Sequence, residues 1–137
     1  MTVILASHPR LKVFRRFALD LATLSKCRDR GVAALIVDEE CTNVFAIGIN
    51  GGPKGGMDCL CGTGKYTCAH AEANALAKCN TDCHGRAMIC TLSPCVTCAT
   101  LIVNSGITTV YIIEKYKDET GIKLMLDADI RVVLLEE

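Results

Sequence analysis

Apolar residues recur at steps of three and four through Leu11, Phe14, Phe17, Ala18, Leu21 and Leu24. That spacing predicts an amphipathic helix from Leu11 to Cys27 with one stripe facing a core. The rhythm then changes. Val32–Val37 and Val44–Ile49 are apolar runs, and the acidic and polar residues Asp38–Asn43 between them read as a hairpin turn. Gly48-Ile49-Asn50-Gly51-Gly52-Pro53-Lys54-Gly55-Gly56 is a loop by composition, continuing through a cysteine-bearing stretch to Thr67. His70–Lys78 mixes Ala and Leu with polar residues and reads as a helix; Ala87–Leu92 reads as a strand. A further helix is expected to start at Pro94, where a missing N–H costs nothing, and to run to about Asn104 before Gly106 stops it. Thr108–Ile113 is a β-branched strand, a short helix lies near Gly121–Leu126, and Ile130–Leu135 is a last strand. The order α-β-β-α-β-α-β-α-β predicts a three-layer α/β/α sandwich around a mixed five-stranded sheet. With no repeat and no linker, residues 1–137 form one domain.

Composition narrows the function. Fifteen basic and fifteen acidic residues balance to zero, which leaves no electrostatic footprint for nucleic acid or an anionic membrane. The basic stretch Arg10, Lys12, Arg15 and Arg16 lies on the first helix and reads as a solvated face. The apolar run Val3–Ala6 is too short for a signal peptide, and nothing approaches the ~18 apolar residues of a membrane span. A cytoplasmic chain is expected, and there ten cysteines point to metal binding rather than disulfides.

Two helix starts carry metal-ligand residues: His70-Ala71-Glu72 and Pro94-Cys95-Val96-Thr97-Cys98. Cysteines three apart on a helical turn face the same way and can share one zinc. His70, Cys95 and Cys98 supply three ligands, and the fourth position is left for water, as in a catalytic site; a structural site fills all four. Helix N-termini favour the thiolates. Glu72, two residues from His70, is placed to take and pass on the proton of that water as general acid and base. Cys-x-x-Cys alone is weak evidence and His-x-Glu weaker. Their combination, with Pro before the first cysteine, is the zinc-deaminase signature. A non-catalytic zinc-binding interaction module with a fourth protein ligand is the alternative from another class.

At these residues the chain resembles the zinc-dependent cytidine-deaminase superfamily, and within it the deoxycytidylate deaminases. The resemblance runs from about Cys27 to Val133. It is carried by Val32–Val37, Gly48-Ile49-Asn50-Gly51, His70–Ala75, Thr91–Cys98 and Glu114-Lys115-Tyr116-Lys117. It implies a cytidine-deaminase-like fold and hydrolysis of dCMP to dUMP and ammonia, with Glu72 serving the ring nitrogen and the leaving amine. It also implies substrate contacts from Asn50 (to the sugar), Ala71, Ser93, Tyr116 (over the base) and Lys117 (near the 5′-phosphate). The family often has tyrosine where Ile49 stands and arginine where Asp29 stands, so Arg28 or Arg30 is expected at the phosphate. Another nucleoside or nucleotide, such as dCTP or cytidine, is the near alternative substrate. The resemblance further implies a second, structural zinc on Cys27, Cys59, Cys61 and Cys68. It implies a homo-oligomer, a hexamer, activated by dCTP and inhibited by dTTP near the loop Asn50–Gly56, with Mg2+ accompanying a triphosphate effector.

Overall fold

The apolar runs of the sequence form strands of one mixed sheet. The computed structural model describes residues 2–5, 8–52, 59–61, 63 and 68–136. Its elements are β1 (Thr2–Leu5), α1 (Pro9–Ala22), β2 (Ala33–Val37), β3 (Val44–Ile49), α2 (Ala71–Lys78), β4 (Ala87–Leu92), α3 (Val96–Ser105), β5 (Thr109–Glu114), α4 (Thr120–Asp127) and β6 (Arg131–Glu136). The strands lie in the order β1-β6-β5-β4-β2-β3. β1, β6, β5 and β4 run parallel, while β2 is antiparallel to both β4 and β3.

β2 is wholly apolar and β4 nearly so, because both of their faces are covered; the buried Thr91 of β4 accepts the Ala33 N–H at 3.0 Å. Ile36, Met88 and Cys90 face a cluster shared with Ala71, Ala75, Ala99, Ile102 and Met125 of the helices α2, α3 and α4. Leu35, Val37, Ile89 and Ala87 face the opposite cluster, which α1 covers with Leu11 and Ala18. Three layers result, as expected. Each large side chain fully withdrawn from water in these two clusters contributes roughly 1.5–3 kcal/mol before entropy is counted.

Three boundaries differ from the sequence reading. The five expected strands are joined by a sixth, β1, at the edge beside β6. The first helix ends at Ala22 rather than Cys27. Thr23 Oγ1 bonds back to Asp20 O at 2.6 Å, closing the last turn, and Ser25 Oγ reaches Asn50 Oδ1 at 2.7 Å, a tertiary bond that takes the following segment out of the helix. Pro94 lies ahead of α3, whose N-cap is Cys95. Of the expected 51–67 loop, residues 53–58, 62 and 64–67 lie outside the described residues, as does Ala6 of the first apolar run. Among the described residues, no helix is long and apolar enough to cross a membrane.

α2 is seated directly on β3. A Cβ on Gly48 would lie 2.0 Å from Ala71 O and 2.5 Å from Ala75 N, so only hydrogen fits there. Asn74 Nδ2 adds a tether to Ile49 O at 2.9 Å. Gly48→Ala must therefore push backbone against backbone, and we expect it to destabilise the protein by about 2–3 kcal/mol. Gly51→Ala, which meets no atom within 4 Å, should stay within about 0.5 kcal/mol of the parent. Urea unfolding midpoints compare the two; equal midpoints would refute the seating argument.

Candidate metal centre and substrate cavity

The N-termini of α2 and α3 meet beyond the carboxyl end of β4, the edge where open parallel sheets place their ligands. His70 is the N-cap of α2 but makes no side-chain capping bond, which leaves its ring to face α3. Its position is set from the other side by Ala69, which exchanges backbone hydrogen bonds of 2.9 and 3.2 Å with Gly51. Cys95 caps α3 with its sulfur, accepting from the Cys98 N–H at 3.4 Å. The α3 start is held from below by α4. A Cβ on Gly121 would lie 2.2 Å from Pro94 O, so the two segments touch through backbone.

His70 Nδ1 lies 3.3 Å from Cys98 Sγ and 3.5 Å from Cys95 Sγ, and all three donor atoms fall within 4.8 Å of one another. A tetrahedral zinc, about 2.0 Å from nitrogen and about 2.3 Å from sulfur, sets such nitrogen–sulfur pairs at about 3.5 Å. The donor set fits that ion in both type and spacing. No fourth histidine, cysteine or carboxylate joins the group among the described residues.

Glu72, in the first turn of α2, is 4% exposed. Burial raises its carboxyl above the usual range, against hydrogen bonds from its own backbone and the Cys98 thiol. Burial also raises the Cys98 thiol, and the neighbouring Glu72 and Cys95 raise it further. The site thus crowds two thiols and a carboxyl into a poorly hydrated corner, and a cation is what allows them to ionise together.

This corner opens into a cavity of about 450 Å³, within the size range of small-molecule sites. His70, Ala71, Glu72, Ser93 and Cys95 line it, together with Arg30, Asn50 and Tyr116. Ser93 is buried and its Oγ accepts the Tyr116 N–H at 2.8 Å, while the Tyr116 side chain is half-exposed. Arg30 pairs with Glu114 at the rim. Asn50 is largely committed to the framework. Its Oδ1 accepts from Ser25 Oγ (2.7 Å) and Val32 N (2.8 Å), and its Nδ2 donates to Arg30 O (2.7 Å). Arg28 and Lys117 do not line the cavity, and Arg28 donates instead to Cys59 O at 2.7 Å.

Cys27, Cys59, Cys61 and Cys68 form a second cluster, with all four sulfurs within 4.8 Å of one another. Cys27 Sγ is 3.7 Å from Cys61 Sγ and 3.8 Å from Cys59 Sγ. Tetrahedral zinc thiolates sit about 3.8 Å apart, so these donors too have the right type and spacing. The N–H groups of Arg28 and Cys61 point at Cys59 Sγ and hold its thiol down to about 6. Cys27, Cys61 and Cys68 also line the substrate cavity, so the two sites share a wall.

Sequence reasoning missed two contacts of this wall, Ser25 with Asn50 and Glu114 with Arg30. A serine after a helix and a glutamate ending a strand carry no local signal. Only the hydrogen bond and the ion pair across the fold mark them.

Residues 9–114 match the cytidine and deoxycytidylate deaminase zinc-binding region. The chain is 34% identical over 134 residues to the deoxycytidylate deaminase of Saccharomyces cerevisiae, across 87% of this chain and 42% of that protein. It is 32% identical over 115 residues to the deoxycytidylate deaminase of Mycobacterium phage D29, across 71% of this chain and 88% of that one. Among solved structures it resembles the dCMP deaminase of cyanophage S-TIM5 in complex with dCMP and dUMP. That match has a TM-score of 0.81 and 30% identity, covering 90% of this chain and 96% of that one. The chain therefore spans less than half of the yeast relative but nearly all of the phage structure. On the ligand geometry and these matches together, this chain belongs to the cytidine and deoxycytidylate deaminase family and carries its zinc-binding region.

Proposed function

We propose that the chain hydrolyses dCMP to dUMP and ammonia. The observation that carries this reading is the buried Glu72 set against the His70–Cys95–Cys98 donor triad at the base of a cavity of about 450 Å³. The likeness to a phage enzyme crystallised with dCMP and dUMP supports the substrate. His70 Nδ1 and the thiolates of Cys95 and Cys98 would hold the zinc, which when bound would supply Lewis acidity to a water at the site. Glu72 accepts the proton of the attacking water, delivers it to N3 of the cytosine ring, and returns a proton to the amine as it leaves C4. One water enters and one ammonia departs, so the reaction needs no other reactant.

The remaining wall suits a nucleotide. Ala71 opens α2, and a first-turn N–H has no partner within the helix, so it is free to donate to the base carbonyl. Ser93 keeps its own hydroxyl hydrogen after accepting from Tyr116, and Tyr116 lines the cavity to cover the base. Asn50 Nδ2 has two hydrogens and gives one to Arg30 O, which leaves one for a sugar hydroxyl. Arg30 is favoured over Arg28 and Lys117 for the 5′-phosphate because it alone of the three lines the cavity. Its pairing with Glu114 is solvent-exposed and worth about 0–1 kcal/mol, so a phosphate can replace it.

Cys27, Cys59, Cys61 and Cys68 would hold a second, structural zinc, tying the segment after α1 to Cys59, Cys61 and Cys68. Activation by dCTP with Mg2+, inhibition by dTTP and hexamer formation extend the same reading. The effector loop Asn50–Gly56 lies partly outside the described residues, since only 50–52 are described. A reducing, cytoplasmic setting fits ten free cysteines.

Glu72→Gln should keep its zinc and lower turnover of dCMP by about 10²-fold or more. Ammonia release from dCMP, dCTP, CMP and cytidine measures this and ranks the substrates. Undiminished turnover in the variant, or no turnover of dCMP by the zinc-loaded parent with or without dCTP, would sink the reading.

Metal analysis should give two zinc ions per chain. Cys98→Ser should remove the catalytic one and abolish activity. Cys59→Ser should remove the other, chiefly lowering thermal stability. One zinc per chain in the fully loaded parent would eliminate the structural site.

A further inference from the structure

Six of the ten cysteines belong to the two donor clusters, and Cys41 and Cys90 are buried. Cys79 and Cys83 remain. They follow the C-terminus of α2 on a segment without regular structure, at the opposite end of that helix from Glu72, and both are partly exposed. Their sulfurs lie 3.6 Å apart, with the Cys83 thiol donating to Cys79. The Thr81 hydroxyl lies 3.5 Å from Cys79 Sγ. Neither cysteine belongs to any group of three donors among the described residues, so this pair falls two ligands short of a zinc tetrahedron.

The surroundings make the two thiols unequal. Burial opposes ionisation of Cys79, but the Thr81 bonds, the Cys83 thiol and the charge of Arg86 outweigh it and lower that thiol. Burial and the adjacent Cys79 push Cys83 up to about 11, with Asp82 adding to the rise. The Arg86 guanidinium is fixed 3.7 Å above the Phe45 ring, and its Nε donates to Asp82 O at 3.3 Å. Asp82 itself is paired with His84. One sulfur is therefore prepared as a nucleophile, and the other keeps its proton close by. A thiol pair that reacts in sequence requires this asymmetry.

We propose that Cys79 and Cys83 form a reversible redox site that reacts with low-molecular-weight disulfides. The Cys79 thiolate attacks one sulfur of the disulfide RSSR, forming a mixed disulfide and expelling one thiolate. Cys83 then loses its proton to that thiolate and attacks the Cys79 sulfur, expelling the second. Two protein thiols are oxidised by two electrons, and RSSR is reduced to two thiols. A disulfide bond is about 2.05 Å long, so the sulfurs must close by roughly 1.5 Å. Side-chain rotation on an irregular, partly exposed segment allows this.

The test treats zinc-loaded protein with graded oxidised glutathione, quenches it in acid, alkylates free thiols and maps peptides by mass. The expected result is a 79–83 peptide that loses two hydrogens and resists alkylation, at glutathione levels that leave the zinc content unchanged. Dithiothreitol should restore the peptide. Cys83→Ser should stop at the glutathione adduct on Cys79. Cys79→Ser should slow adduct formation on Cys83 by about tenfold or more. Two alkylatable thiols in treated parent protein, a lasting adduct with no internal bond, or Cys83 reacting equally fast without Cys79 would each overturn the proposal. Mapping the parent alone decides the first two outcomes, so the result does not hinge on how the variants fold.

Discussion

The site depends on holding groups together that repel one another when ionised. Cys95, Cys98 and Glu72 can each carry a negative charge, and Glu72 and Cys98 are withdrawn from the water that would screen them. Left to themselves, such groups neutralise by keeping their protons, the direction in which both Glu72 and Cys98 are displaced. A divalent cation reverses that balance, but only if the donors already stand at the right separation. The fold supplies the separation through backbone contacts that no side chain can relax. α2 rests on Gly48, and the Pro94–Cys95 segment rests on Gly121. Both contacts fix a helix N-terminus, and each N-terminus carries ligands.

Much of this was legible in the sequence because its causes are local. Val32–Val37 and Ala87–Leu92 read as strands since burial on both faces leaves almost no polar position to interrupt them, Thr91 being the exception. His70, Glu72, Cys95 and Cys98 read as a site since each half of the constellation fits within five residues. What the sequence hid has distant causes. β1 is four residues long and pairs in parallel with residues 133–136, so no turn announces it. The early end of α1 depends on Ser25 finding Asn50, twenty-five residues on. Whether Arg28 or Arg30 faces the cavity turns on one residue of offset in an irregular segment, where no periodicity assigns a direction.

The cysteines show how far one residue type is differentiated by its surroundings. Cys90 and Cys98 are raised chiefly by burial. Cys59, also buried, moves the other way because two backbone N–H groups point at its sulfur. Cys79 and Cys83, four residues apart and both partly exposed, diverge because Cys79 has the Thr81 bonds, the Cys83 thiol and the charge of Arg86, whereas burial and Cys79 hold the proton on Cys83. Exposure alone therefore does not set how these thiols ionise; the hydrogen bonds around each sulfur contribute as well.

The same view explains why Asn50 stands where cavity and thiol cluster meet. Three of its hydrogen bonds draw Ser25, Arg30 and Val32 together, and that short span contains Cys27. Cys27 in turn joins Cys59 and Cys61, and Cys27, Cys61 and Cys68 face the cavity that holds His70 and Glu72. Whatever holds the four sulfurs together therefore also holds the wall against which a ligand is positioned. Loss of one sulfur would loosen the segment presenting Arg30 and Asn50 while leaving the His70–Cys95–Cys98 triad on its two helices. The donor triad thus sits on regular elements, whereas the facing wall is built from irregular segments.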